Sequence, residues 1–254
     1  RRRIGVNASK MEYLNYNIDL EILVLVVLVF SVIQSIFGVG LLLFGTPTLL
    51  LFGLPYDVTL WTILPSSIAI SAIQAISSYK LVMYKKDVVF YTLPFLIISL
   101  MFIIAYDSVV DIKKLVGSMM ILIGLIKFSD YLNTIINTIV KKNMKIYHVI
   151  MGIIHGVSNM GGGPLSILMT AIHKDKYTIR ANIAFVYMLF GISQLIILWI
   201  MKTETFQLNG IFLIAVSIVS YFYVGRILAS IINENKYKLL ITILILSYGI
   251  ISFL

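Results

Sequence analysis

A run of three glycines and a proline, at residues 161–164, is the feature that most limits how this chain can fold. The run interrupts an apolar segment over residues 146–173 that is long enough to cross a bilayer. It cannot continue a helix, because glycine has the largest backbone entropy cost and proline lacks an N–H donor and clashes with the preceding turn. Proline suits the first turn of a new helix, so we expect one helix to end near Asn159 and a short one to begin at Pro164.

The composition sets the class of protein. Of the 254 residues, 60% are hydrophobic and 12% are charged, and the mean hydropathy is +1.01. Apolar runs of about 20 residues, the length of a membrane-spanning helix, recur along the chain. These features predict an all-α polytopic membrane protein of the cell membrane. The net charge of +9 does not indicate nucleic acid, because basic residues in membrane proteins mostly mark cytoplasmic loops.

A second broken element lies near the start of the chain. The apolar stretch over residues 21–52 is too long for one straight crossing. We expect it to be interrupted at Gly38-Val39-Gly40 and again at Gly45-Thr46-Pro47. In each half, the broken element is followed by a polar span, an apolar span and a closing span. These predicted spans cover about 58–78, 88–106 and 115–128, then one that ends near 201, one over 206–224 and one over 239–254.

The repeated order divides the chain into two halves joined by a linker. We expect a tail at 1–19, a first transmembrane repeat at 20–128, an amphipathic basic linker at 129–145 and a second transmembrane repeat at 146–254. Residues 1–10 read as a cloning remnant or upstream read-through ahead of Met11. Two halves with matching glycine- and proline-interrupted segments are typical of a transporter binding site.

The distribution of basic residues predicts that the halves are inverted pseudo-repeats. If each broken element is re-entrant, 13 basic residues after Met11 lie on one side and 3 on the other. If the broken elements cross fully, the same residues divide 8 against 8. The positive-inside rule favours the inverted arrangement, with both termini outside. The basic side then holds Lys80, Lys85, Lys86, Lys127, Lys141, Lys142, Lys145, Lys174, Lys176, Arg180, Arg226, Lys236 and Lys238.

Candidate binding groups flank both breaks. A half-helix N-terminus presents free N–H groups and a positive dipole end, which suit an anion, and a break in hydrocarbon persists only where it lines a cavity or is covered by protein. The neighbouring hydroxyl and amide groups could donate to an oxyanion or only cap helix ends, and the glycines could serve only close helix packing. The candidates are Gly38, Gly40, Gly45, Thr46, Pro47, Thr48, Ser66, His155, Ser158, Asn159, Gly161, Gly162, Gly163, Pro164 and Asn182.

His155 has two interpretations. It is either a proton relay, if export is coupled to protons, or a neutral histidine bonded to a carbonyl. With His148 and His173 it is spaced seven and eighteen residues apart, which matches no H-E-x-x-H metal motif, and cysteine is absent. We therefore expect no metal site, no cofactor and no enzymatic activity.

Three stretches resemble the TauE/SafE sulfite exporter family. One runs from the FGVG sequence at 37–40 through GTPT at 45–48 to the GLP turn at 53–55; another is HGVSNMGGGP at 155–164. The third is VGRIL at 224–228, followed by Lys238 and a closing apolar helix. The similarity covers nearly the whole chain from about Glu21. It departs from the family pattern at Gly38-Val39-Gly40-Leu41, where the family has a denser glycine run.

The resemblance implies transport, usually export, of small anions such as sulfite or organosulfonates. We therefore expect a secondary transporter that binds its anion between two half-helix N-termini near the bilayer midplane, with the lipid bilayer and the anion as its partners. An anion channel is a close variant. An intramembrane enzyme and a non-transporting membrane scaffold are the alternatives from other classes.

Overall fold

The computed structural model describes residues 18–83, 85–106, 110–232, 239, 240, 243, 246, 247, 250 and 251. The tail before residue 18, Lys236, Lys238 and much of the predicted closing span lie outside the described residues. Within the described ranges the secondary structure is helical, without a strand. The helices are α1 Leu20–Phe37, α2 Leu41–Leu51, α3 Tyr56–Ser77, α4 Lys85–Ala105, α5 Ile112–Phe128, α6 Asp130–Lys142, α7 Met144–Ser158, α8 Gly162–Ile172, α9 Lys176–Met201 and α10 Leu208–Ile231.

The lengths of these helices confirm a multi-pass membrane protein. Among the described residues, α1, α3, α4, α9 and α10 are each long and apolar enough to cross a membrane. Helices α5 and α6 meet at a bend of 100° and would together give a sixth candidate span. Ser129 caps α6 at this bend by accepting a hydrogen bond from the Leu132 N–H. The assignment of residues 129–145 to an interfacial linker stays a prediction.

The first break has the predicted position. Helix α1 ends at Gly38, which has a φ of +76° and donates its N–H to the Gln34 carbonyl at 2.8 Å. This left-handed conformation is readily available to glycine and ends a helix by satisfying one of its last carbonyls. Gly40 has a φ of −175° and a ψ of −78°, and α2 begins at Leu41.

The second predicted interruption, at Gly45-Thr46-Pro47, is wrong. Gly45 and Thr46 both have helical backbone angles, and α2 runs through Pro47 to Leu51. The reason is a wide π-helical turn over residues 41–45, which shifts the hydrogen-bond register just before the proline. The missing proline donor and the ring clash are thereby absorbed without ending the helix. The same arrangement precedes Pro94 in α4, where residues 88–92 form a π-helical turn.

The second break confirms the expectation from the GGGP run. Helix α7 ends at Ser158, and Asn159 takes a left-handed conformation with a φ of 60°. Helix α8 begins at Gly162, two residues earlier than expected, so that Pro164 lies in its first turn. There the missing proline N–H has no intrahelical partner to lose.

Helices α3 and α9 are antiparallel at the centre of the bundle. At one end, the Trp61 indole N–H donates to the Lys202 carbonyl at 3.1 Å. At the other end, the Asn182 side chain accepts from the Met83 N–H at 2.7 Å and donates to the Leu81 carbonyl at 2.9 Å. We call these the Trp61 end and the Asn182 end of the bundle.

The first helix of each broken element packs against a helix that is distant in the sequence. Helix α7 runs beside α4, where the Thr92 hydroxyl and the His148 Nδ1 are 2.8 Å apart. Gly152 and Gly156 press so closely on α4 that a Cβ at either would overlap its atoms. Helix α1 runs beside α10, where the Ser220 hydroxyl donates to the Leu28 carbonyl at 3.0 Å. Small residues at both contacts allow close backbone approach in a membrane.

Two glycines of the first broken element should respond differently to alanine. A Cβ on Gly40 would overlap the Gln34 backbone and the Phe30 carbonyl, whereas one on Gly45 would meet Ile63 at an ordinary 3.7 Å. We expect Gly40→Ala to cost about 1–3 kcal/mol of stability and Gly45→Ala to be neutral or slightly stabilising. Thermal unfolding in detergent measures both, and equal effects would contradict the assigned break.

Candidate functional site

The two broken elements contact each other in the interior of the protein. The Asn159 side-chain amide donates to the Thr46 hydroxyl at 2.7 Å. Asn159 ends the first helix of one broken element, and Thr46 lies in the second helix of the other. Both residues are fully buried. Two candidates that are 113 residues apart in the sequence are therefore in direct contact.

A chain of hydrogen bonds extends from this contact through the second break. The His155 Nδ1 accepts the Gly161 N–H at 3.2 Å, and the His155 Nε2 is 3.2 Å from the Gln194 Oε1. The Gln194 amide in turn donates to the Asn159 Oδ1 at 3.2 Å. Because Nδ1 accepts and Nε2 faces an acceptor, the pattern assigns a neutral imidazole protonated at Nε2.

The first break is closed by two glutamines. The Gln34 Oε1 accepts the Leu41 N–H at 3.1 Å, and its amide donates to the hydroxyls of Ser67 at 3.1 Å and Ser71 at 3.0 Å. The Gln74 amide donates to the Ser35 carbonyl at 3.0 Å. The first backbone N–H of α2 is therefore capped by a side chain of α1. Sequence analysis missed Gln34, although a single amide four residues before Gly38 was the available signal.

The two breaks use the same geometry with different residues. Gln34 and His155 each lie four residues before a left-handed helix end, Gly38 and Asn159, and each accepts a backbone N–H from just beyond the break. His155 follows Gln34 by 121 residues, and Asn159 follows Gly38 by 121. The cap is an amide in the first break and an imidazole in the second.

The Tyr187 side chain stands against the start of α8. It is fully buried, and within the described part of the chain its hydroxyl has no hydrogen-bond partner. A Cβ on Gly162 would overlap the Tyr187 hydroxyl oxygen, so only glycine lets the hydroxyl lie there. Phe190, one turn further along α9, stacks on His155 with ring centroids 4.2 Å apart. Sequence analysis missed Tyr187, because an aromatic residue in an apolar helix carries no distinguishing pattern.

Several predicted site residues have local roles. The Thr48 hydroxyl donates to the Phe44 carbonyl, and the Ser158 hydroxyl donates to the Ile154 carbonyl and accepts the Met160 N–H. Asn182 is not brought to the breaks, because its amide holds the loop at the Asn182 end. Ser66 is buried in α3, and no partner for its hydroxyl lies among the described residues.

The glycines and prolines of the candidate set build the breaks themselves. Gly161 presents its N–H to His155, and Gly163 presents its N–H to the Met160 carbonyl. A Cβ on Gly161 would overlap the His155 ring, and one on Gly163 would overlap Ile123 of α5. The Pro164 carbonyl accepts the Tyr147 hydroxyl at 2.9 Å. These residues fix the shape of the second break through close contact.

The groups at the meeting point are neutral. Near the first break, the Arg180 guanidinium lies 3.5 Å from the Ser35 carbonyl of α1. Asp175 caps α9 at the Asn182 end, where hydrogen bonds from the Thr178 N–H and hydroxyl hold the pKa of its carboxyl below the usual range. The meeting point itself thus offers hydroxyl, amide and backbone donors.

The hydrogen bond between Thr46 and Asn159 should be measurable as an energetic coupling. Thr46→Val removes the acceptor, and Asn159→Gly removes the donor while it keeps the left-handed backbone accessible. We expect a double-mutant cycle to give a coupling of about 1 kcal/mol in unfolding free energy. Additive effects would show that the hydrogen bond contributes nothing to stability.

Comparison with known proteins gives one match. The family model described as sulfite exporter TauE/SafE matches residues 23–251, which is nearly the whole chain. No curated protein and no solved structure matches the chain.

Proposed function

Because the chain belongs to the TauE/SafE sulfite exporter family, we propose that it is a secondary transporter that exports small oxyanions, such as sulfite or organosulfonates, across the cell membrane. The observation that carries the proposal is the buried contact between the two broken helices, through Thr46 and Asn159. Broken helices that meet inside a membrane protein are the arrangement in which transporters bind their substrate. The anion would lie where the two broken elements meet.

The contacts of α7 and α8 support a re-entrant hairpin. Helix α7 begins beside the start of α4, because His148 contacts Thr92. Helix α8 ends three residues before α9 begins. Both α4 and α9 begin next to the loop that Asn182 holds. The hairpin would therefore enter and leave at the Asn182 end.

The first broken element supports the opposite orientation. Helix α1 runs parallel to α10, with Leu28 beside Ser220 and Ser35 beside Gly225. Helix α10 begins soon after Lys202, so the starts of α10 and of the parallel α1 lie at the Trp61 end. Helix α2 ends shortly before α3 begins, so the end of α2 lies there too. Two hairpins that enter from opposite ends are what inverted repeats require, and this supports the predicted topology.

The neutral donors favour a singly charged oxyanion. The cost of moving an ion out of water rises with the square of its charge, and a second charge needs a cation to offset it. Hydroxyl and backbone donors can hold one negative charge without binding it too tightly for release. His155 has both ring nitrogens bonded, so we assign it a structural role and propose no proton path through it.

Tracer efflux from proteoliposomes tests the function. We expect saturable efflux of sulfite. Its rate should fall as the pH is raised through the second ionisation of sulfite, because the fraction of sulfite in the singly charged form decreases. An alkanesulfonate, singly charged throughout, should move at a constant rate. Sulfate should move at least about tenfold more slowly than the sulfonate. This corresponds to a free-energy difference of about 1.4 kcal/mol or more.

Each arm of this experiment has its own contrary outcome. Sulfate carried as fast as the sulfonate would contradict the singly charged substrate. Efflux that rises in proportion to the sulfite concentration without saturating would identify a channel in place of a carrier. Chemical conversion of the sulfite would point to an enzyme. If folded protein gave no efflux of any anion tested, the transport function would be overturned.

A further inference from the structure

We propose that the anion takes its polar contacts from the second break, with the Tyr187 hydroxyl as a donor beside the first turn of α8, while the first break is a closed structural element. The inference rests on the proposed transport function and gives it a specific binding residue. It follows from a comparison of the donors that each break leaves uncommitted.

At the first break, the Gln34 side chain is fully engaged. The Gln34 amide is shared among the Ser67 and Ser71 hydroxyls and the Ser67 carbonyl, and its oxygen caps Leu41. A Cβ on Gly40 would overlap the Gln34 and Phe30 backbones, so the chain is packed against itself there. An anion could take a hydrogen bond from Gln34 only by displacing an existing one.

The second break leaves one strong donor uncommitted. The Tyr187 hydroxyl is buried without a partner among the described residues and lies against Gly162, the first residue of α8. A buried hydroxyl without a partner is unfavourable, and a ligand that accepts its hydrogen bond removes that cost. Helix α8 has 11 residues, and its positive dipole end faces the same place.

The neighbouring groups support a ligand position here. His155, on the other side of Gly161, is held by Gln194 and stacked on Phe190, so its ring is a fixed and uncharged wall. The centroids of the His155 and Tyr187 rings are 6.1 Å apart. The first turn of α8 and the Tyr187 hydroxyl of α9 thus lie next to each other.

The chain provides a matched control for Tyr187. Gln194 of α9 follows Gln74 of α3 by 120 residues, and Tyr187 follows Ser67 by the same number. Ser67 therefore occupies on α3 the place that Tyr187 occupies on α9. The Ser67 hydroxyl is engaged with Gln34, whereas the Tyr187 hydroxyl is not.

The experiment compares Tyr187→Phe with Ser67→Ala in sulfite efflux and in thermal unfolding in detergent. Tyr187→Phe should raise the KM for sulfite about tenfold or more, because a charged acceptor loses its donor. Its melting temperature should be unchanged or higher, because an unpartnered hydroxyl has been removed. Ser67→Ala should lower the melting temperature, because Gln34 loses a partner, and leave the KM unchanged.

The outcomes separate the site from the function. An unchanged KM in Tyr187→Phe, with wild-type efflux intact, would overturn the inference. So would a lower melting temperature with a reduced maximal rate and a normal KM, since that pattern belongs to a structural hydroxyl. Wild-type protein that carries no anion would overturn the proposed function and the inference with it.

Discussion

The structure depends on the rule that backbone N–H groups inside a membrane must find partners within the protein. A broken helix exposes such groups at its second segment, and here side chains of the preceding segment cap them. Gln34 accepts the Leu41 N–H, and His155 accepts the Gly161 N–H. Each cap lies one turn before a left-handed residue that ends the first segment. The breaks are thus stable features of the fold.

The same cap, built once from an amide and once from an imidazole, explains how two similar elements can differ in function. An amide has several donors and acceptors, and Gln34 uses them to bind α3. An imidazole has two nitrogens, and His155 uses both within its own surroundings. His155 therefore binds fewer side chains of α9 than Gln34 binds of α3. The Tyr187 hydroxyl of α9 has no partner among the described residues.

Much of the fold could be predicted from the sequence, because long apolar runs and glycine–proline runs act locally. The break at residues 159–162 and the spanning helices are of this kind. The passage of α2 through Pro47 could not be predicted, since it depends on a π-helical turn that packing stabilises. The roles of Gln34 and Tyr187 were equally hidden, because a single polar or aromatic residue in an apolar helix gives no pattern until its neighbours are known.

The contacts between helices that are distant in the sequence have a consequence for biosynthesis. Helix α1 packs on α10, and α7 packs on α4, so each broken helix has one neighbour that is distant in the sequence. During translation α1 enters the membrane long before residues 208–231 exist. The contact between α1 and α10 can therefore form only when the last fifth of the chain has been made.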